Sequence, residues 1–145
     1  KNEINLMNFN GKIYVDDYTF SFINEVQKIF EKNGWKKGNS LIDLTGRTPG
    51  LNIIVGARFV SDPWWGAGYV GTNAKVTKLL NNSKFEKIKK SWIATSDYSI
   101  NINPKLLNTI GLDINKDYVL VGNIRLKSFD ESFIKNIQFW KPKYQ

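Results

Sequence analysis

The chain has 145 residues, 41% of them hydrophobic and 14% aromatic, enough for one domain with a substantial core, and it carries a formal charge of +8. It contains no cysteine and no histidine, which excludes thiol nucleophiles, disulfides, Cys/His zinc sites and Ser-His-Asp triads. No apolar run approaches the roughly 20 residues of a membrane helix.

Residues 1–11 are polar and read as a linker or arm, leaving 12–145 as a single domain. No signal peptide is visible and the chain opens on Lys1, so it reads as a mature product or an excised domain. "KIYVDD" (12–17) suits a short strand or an extended entry. From Phe20 to Phe30, the residues Phe22, Ile23, Val26, Ile29 and Phe30 recur at helical spacing, and Gly34 is a natural stop. "LIDL" (41–44) has the composition of a short buried strand. "LNIIVGARF" (51–59) fits a short helix after Pro49-Gly50, although its β-branched run also fits a strand.

A glycine- and aromatic-rich loop, "SDPWWGAGYVGT" (61–72), follows. Thr72 is then placed to cap a helix carrying Val76, Leu79 and Leu80. Ser83 and Glu86 have the spacing of a capping box for a shorter helix with Phe85 and Ile88. "SWIATSD" (91–97) reads as a strand ending in a polar turn. Asn103 and Pro104 open a helix around Leu106, Leu107 and Ile110 that Gly111 closes. "DYVLVGNIRL" (117–126) and "FIKNIQFWKP" (133–142) alternate as two strands across the turn "KSFDES". Helices alternating with strands before a closing hairpin predict a layered α/β/α domain with a mixed sheet and a C-terminal antiparallel hairpin.

Two loops carry recognition chemistry. In open α/β sheets, ligands bind beyond the carboxyl ends of strands, where helix N-termini offer N–H groups to anions. Thr45, Gly46, Arg47 and Thr48 occupy that position after the first buried strand, and Arg47 offers a charged fork. The same stretch also reads as a plain turn in which Asp43 caps backbone amides. It matches neither G-x-G-x-x-G nor G-x-x-x-x-G-K-[ST], so no cofactor is expected. In the second loop, Trp64 and Trp65 are adjacent and cannot both face one core from an extended backbone. Together with Tyr69 they suit sugar stacking or a protein contact; packing against the end of a small core is the structural alternative.

The remaining candidates are weaker. Asp16 and Asp17 fit a solvated helix start as well as a cation or acid/base role. Asp97 and Tyr98 follow a strand and suit the same sheet edge, and Trp140 and Tyr144 suit packing of the final strand. "KFEKIKK" (84–90) is a basic helix face, of a kind more often solvated than membrane-bound. The overall basic charge favours anionic partners such as headgroups or acidic polysaccharide. Lysine far outnumbers arginine, the better bidentate phosphate reader, which argues against specific nucleic-acid binding.

With these stretches assembled, the chain resembles a soluble C-terminal domain found on multi-spanning bacterial membrane proteins that look like polyprenyl-phosphate-sugar-dependent glycosyltransferases. The pattern is "GWKKGNSLIDLTGRTPGLNIIVGA", then "PWWGAGYVGT", then "SWIATSD" and a final strand with "FWKP", spread over residues 12–142. It departs at Ala67, where a second glycine is usual, and at Val70, where a proline is usual; both bear on loop shape. The resemblance implies a domain on the extracytoplasmic side of the membrane, attached to a membrane-embedded portion that performs the chemistry. It carries over no catalytic residue. The expectation is thus a non-catalytic binding or accessory domain for glycan or lipid-linked sugar, with Thr45, Gly46, Arg47, Thr48, Trp64, Trp65 and Tyr69 as ligand contacts. The alternative is a small α/β enzyme or nucleotide/phosphate-binding domain with its site at the 43–50 loop, using Arg47 and a carboxylate such as Asp43.

Overall fold

A computed structural model describes residues 1–6, 11–46, 48, 50–62, 65–97, 101–127 and 134–144. In chain order the elements are β1 (Asn2–Ile4), β2 (Ile13–Val15), α1 (Asp17–Lys32), β3 (Leu41–Asp43), α2 (Leu51–Ile54), α3 (Thr72–Asn82), α4 (Phe85–Lys89), β4 (Trp92–Ser96), a 3-10 helix (Pro104–Ile110), α5 (Ile114–Asp117), β5 (Tyr118–Lys127) and β6 (Ile134–Pro142). The main sheet has the order β3-β4-β6-β5, with β3 parallel to β4 and the other pairs antiparallel. This is the expected α/β fold with a mixed sheet. Its C-terminal strands pair antiparallel as predicted, while the turn 128–133 between them lies outside the described residues.

The sheet is covered on both faces at its centre, which is why β4 is buried at every residue. Successive strand residues point to opposite faces, and they divide cleanly between two cores. Leu41, Trp92, Ala94, Ile137 and Phe139 join α1 and α2 in one core, around Val26, Phe30, Leu51 and Val55. Ile42 and Ile93 join α3, α4 and the 3-10 helix in the other, around Val76, Leu80, Ile88 and Leu107. Phe30 stacks on Trp92 at 4.9 Å and meets Trp35 and Phe139 edge-on at 4.9 and 5.1 Å. Such ring pairs each add about 0.5–1.5 kcal/mol beyond the area they bury.

Several local expectations change. The segment expected as a linker or arm contributes β1, which pairs with β2, and Ile4 is buried in the α1 core. Helix α1 starts at Asp17, earlier than the apolar periodicity suggests, because the Asp16 side chain caps it by accepting from the Thr19 amide at 2.8 Å. Asp16 and Asp17 therefore sit at a helix start. Gly71 rather than Thr72 is the cap of α3. The Ser83–Glu86 capping box does not form: Lys84 is the cap, and the Ser83 hydroxyl donates to the Leu79 carbonyl at 2.8 Å instead. Residues 51–54 are helical as favoured, and the chain then straightens so that Arg58 bridges Ser40. Trp140 packs against the second core, whereas Tyr144 is exposed.

Candidate functional site

Strands β3 and β4 run parallel, so their carboxyl ends open at one end of the sheet. The segments leaving them are joined there by backbone hydrogen bonds. The Ile102 amide donates to Leu44 at 3.1 Å, and the Ala67 amide donates to Gly46 at 3.1 Å. The Ser96 hydroxyl points at the Thr45 carbonyl at 3.4 Å, and the Asn101 side-chain amide donates to the Ser96 carbonyl. The 43–46, 65–68 and 101–102 segments thus form one cluster at the expected end of the sheet.

Much of that cluster faces inward. Asp43 Oδ1 accepts from the Thr45 amide at 2.8 Å and the Thr45 hydroxyl at 2.6 Å. This is an Asx-type turn, in which a side-chain oxygen satisfies the amide that would otherwise greet a ligand. Thr45, Gly46 and Thr48 are buried. Trp65, only 3% exposed, packs in the core with Ile42, Leu44 and Ala67. The side chains of Thr45, Thr48 and Trp65, expected as ligand contacts, are therefore interior and do not present themselves at the surface. Arg47 and Trp64 lie outside the described residues.

Among the expected contacts that are described, Tyr69 reaches solvent, with 71% of its surface exposed. Its backbone is fixed while its ring projects. The Tyr69 amide donates to Thr72 Oγ1 at 3.1 Å, and the Thr72 amide and hydroxyl donate back to the Tyr69 carbonyl at 3.1 and 2.8 Å. An ion pair at 3.4 Å between Asp62 and Lys75 ties the start of the loop to α3. Gly71 at φ 84° turns the chain directly into that helix, a backbone conformation that side chains other than glycine rarely adopt.

Open hollows flank the ring. One, about 440 Å³, is lined by Gly68, Tyr69, Thr72, Asn73 and Asn101 among others; another, about 240 Å³, is lined by Gly66, Tyr69, Val70 and Lys75 among others. An exposed aromatic face beside amide side chains and bare glycine backbone offers both stacking and hydrogen bonding. Asn73 and Asn101 had no distinguishing signal, because single asparagines are unremarkable in an asparagine-rich chain.

Among the described residues, no carboxylate lines either hollow. Asp97 sits at the end of β4, where Oδ1 accepts from the Asn136 amide at 2.9 Å. Tyr98 lies outside the described residues. Among the described residues no group of His, Cys, Asp or Glu side chains is placed to hold a metal ion. On α4, Lys87 donates to the Phe59 carbonyl at 2.8 Å, while Lys84 and Lys90 are exposed. No helix among the described residues is long and apolar enough to cross a membrane.

Comparisons with protein-family models, with curated proteins and with solved structures find no match.

Proposed function

We propose that this is a non-catalytic recognition domain that stacks a sugar ring on Tyr69 and hydrogen-bonds its hydroxyls from the flanking hollows. The observation that carries the reading is a tyrosine, 71% exposed and with its backbone bonded to Thr72, beside a hollow lined by Asn73, Asn101 and glycine backbone. A pyranose has an apolar face and a polar rim, and this surface offers a counterpart to each. In keeping with the resemblance drawn from the sequence, the domain serves an envelope membrane protein that handles glycans. It sits on the extracytoplasmic side and presents glycan or lipid-linked sugar to the membrane portion. The phosphate-site alternative at residues 43–50 has less support, because the Thr45 amide already donates to Asp43.

Amide-resolved NMR titration with neutral oligosaccharides tests the proposal. Saturable shifts at Gly68, Tyr69, Asn73 and Asn101 that vanish in Tyr69→Ala are expected. A panel of glycans that leaves these amides unmoved would sink it.

A further inference from the structure

Beyond the Tyr69 surface, one face of the sheet carries a polar strip that runs from buried Thr95 to exposed Asn123 and Arg125. Ile124, Ile137 and Phe139 turn toward the α1 core, so their neighbours Asn123, Arg125, Asn136 and Gln138 turn the other way. On that opposite face the helical layer reaches Ile93 and Trp140, which are register partners. The next rungs change character. Thr95 pairs with Gln138 and Gln138 with Asn123; Arg125 pairs with Asn136, whose backbone amide is held by Asp97. The rung closest to the core is anchored, with Trp140 Nε1 donating to Thr95 Oγ1 at 3.0 Å.

The strip has unused bonding capacity. Asn123 and Arg125 are exposed, and neither has a side-chain partner among the described residues. Gln138 accepts a long bond from Thr95 at 3.4 Å through Oε1, which leaves its N–H groups for another acceptor. Asn136 Oδ1 is a buried acceptor with no partner among the described residues. The charges are not paired: β6 lies between their strands, so the Arg125 and Asp97 backbones stand about 10 Å apart, and no ion pair joins the two among the described residues. The guanidinium end suits a planar anion held by a two-pronged bond, and the carboxylate end accepts from neutral hydroxyls. A nucleic-acid strand, charged at every residue, would meet Asp97 with like charge.

We infer that this strip is a second subsite, for an anionic sugar carrying a carboxylate such as a uronic acid, with Arg125 gripping the carboxylate and Asn123 and Gln138 its hydroxyls. The inference rests on the glycan reading of the Tyr69 surface. It extends that reading by naming the charge of the ligand, which the +8 chain would also attract at long range.

The test is an NMR titration of the whole chain, following the Arg125 Nε–H and the Asn123 and Gln138 side-chain amides. The probes are a uronic-acid oligosaccharide, its neutral methyl ester and a short oligothymidylate. Saturable shifts of these groups with the uronate, weakened tenfold or more by Arg125→Gln and only partly restored by Arg125→Lys, are expected. Neutral sugar moving Tyr69 while the strip stays silent to uronate would overturn the inference and leave the Tyr69 reading standing. Strip shifts without any response at Tyr69 would support the subsite and remove that reading. A stronger response to oligothymidylate than to uronate, or equal binding of uronate and its ester, would overturn the subsite.

Discussion

Gly122 lies directly against Ile29 of α1: a β-carbon added there would come within 2.7 Å of Ile29 Cγ2 and 3.0 Å of its Cδ1. The contact falls beside an irregularity in the β5–β6 register between Leu120 and Gly122, so the strand presses backbone rather than side chain onto the helix. Gly122→Ala should destabilise the domain by about 1–3 kcal/mol, as overpacking does. Adding Ile29→Ala should recover part of that loss, since the substitutions share one space. Urea unfolding of the single and double variants checks both; strictly additive losses would refute the contact.

Trp65 and Tyr69 lie in one loop and have opposite roles. Trp65 is packed in the core, so Trp65→Ala should cost about 3–5 kcal/mol. Tyr69 projects into solvent, so Tyr69→Ala should change stability by no more than about 0.5 kcal/mol. Denaturant midpoints distinguish them, and a large loss in Tyr69→Ala would make its ring a structural support rather than a recognition surface.

These two aromatics also mark how far the sequence could be read. Adjacent tryptophans announce that one must leave the core, but alternation cannot choose between them without the backbone path. That path depends on bonds from Gly46 to Ala67 and from Leu44 to Ile102, which join distant parts of the chain. The buried strands, the long helix and the closing strand pair were legible because their periodicity is local. The capping box at Ser83 misled because a serine hydroxyl can bond back to the preceding turn as readily as forward. Strand β1 was illegible: Ile4 becomes apolar core only once β2 and α1 lie beside it. The Asn123–Gln138–Thr95 row was hidden for the same reason, since its members come from separate strands.

Tyr118 makes stability sensitive to alkali. Burial, reinforced by the nearby Asp117 carboxylate, pushes its phenol well above the usual value of 10.0, and its hydroxyl donates to the Ile88 carbonyl at 3.3 Å. With the folded pKa above the unfolded one, the native state holds the extra proton. Its contribution is complete below pH 10 and is lost as pH rises toward the folded value. Wild type should therefore lose stability relative to Tyr118→Phe above pH 10, by up to about 1.4 kcal/mol per pH unit. Taking the difference between the two proteins cancels the lysines that titrate in the same range. Parallel stability curves from pH 9 to 11 would contradict the assignment.

Asp16 acts at the opposite end of the pH scale. Its carboxylate accepts from the Thr19 amide at 2.8 Å, the largest cause of a pKa below the usual 3.8, and also from the Thr19 hydroxyl at 2.8 Å. The group is open to solvent, so the effect is small, but its sign is fixed. Because the folded pKa is the lower one, the contribution is present above pH 3.8 and disappears as pH falls through the folded value. Asp16→Asn keeps a side-chain oxygen able to cap α1 while removing the titration. Wild type should be the more stable at pH 7, where the negative charge also favours the helix N-terminus, and the gap should close by pH 2. Thermal midpoints across that range read the difference directly, and a gap unchanged between pH 7 and pH 2 would show that the cap holds α1 without its charge.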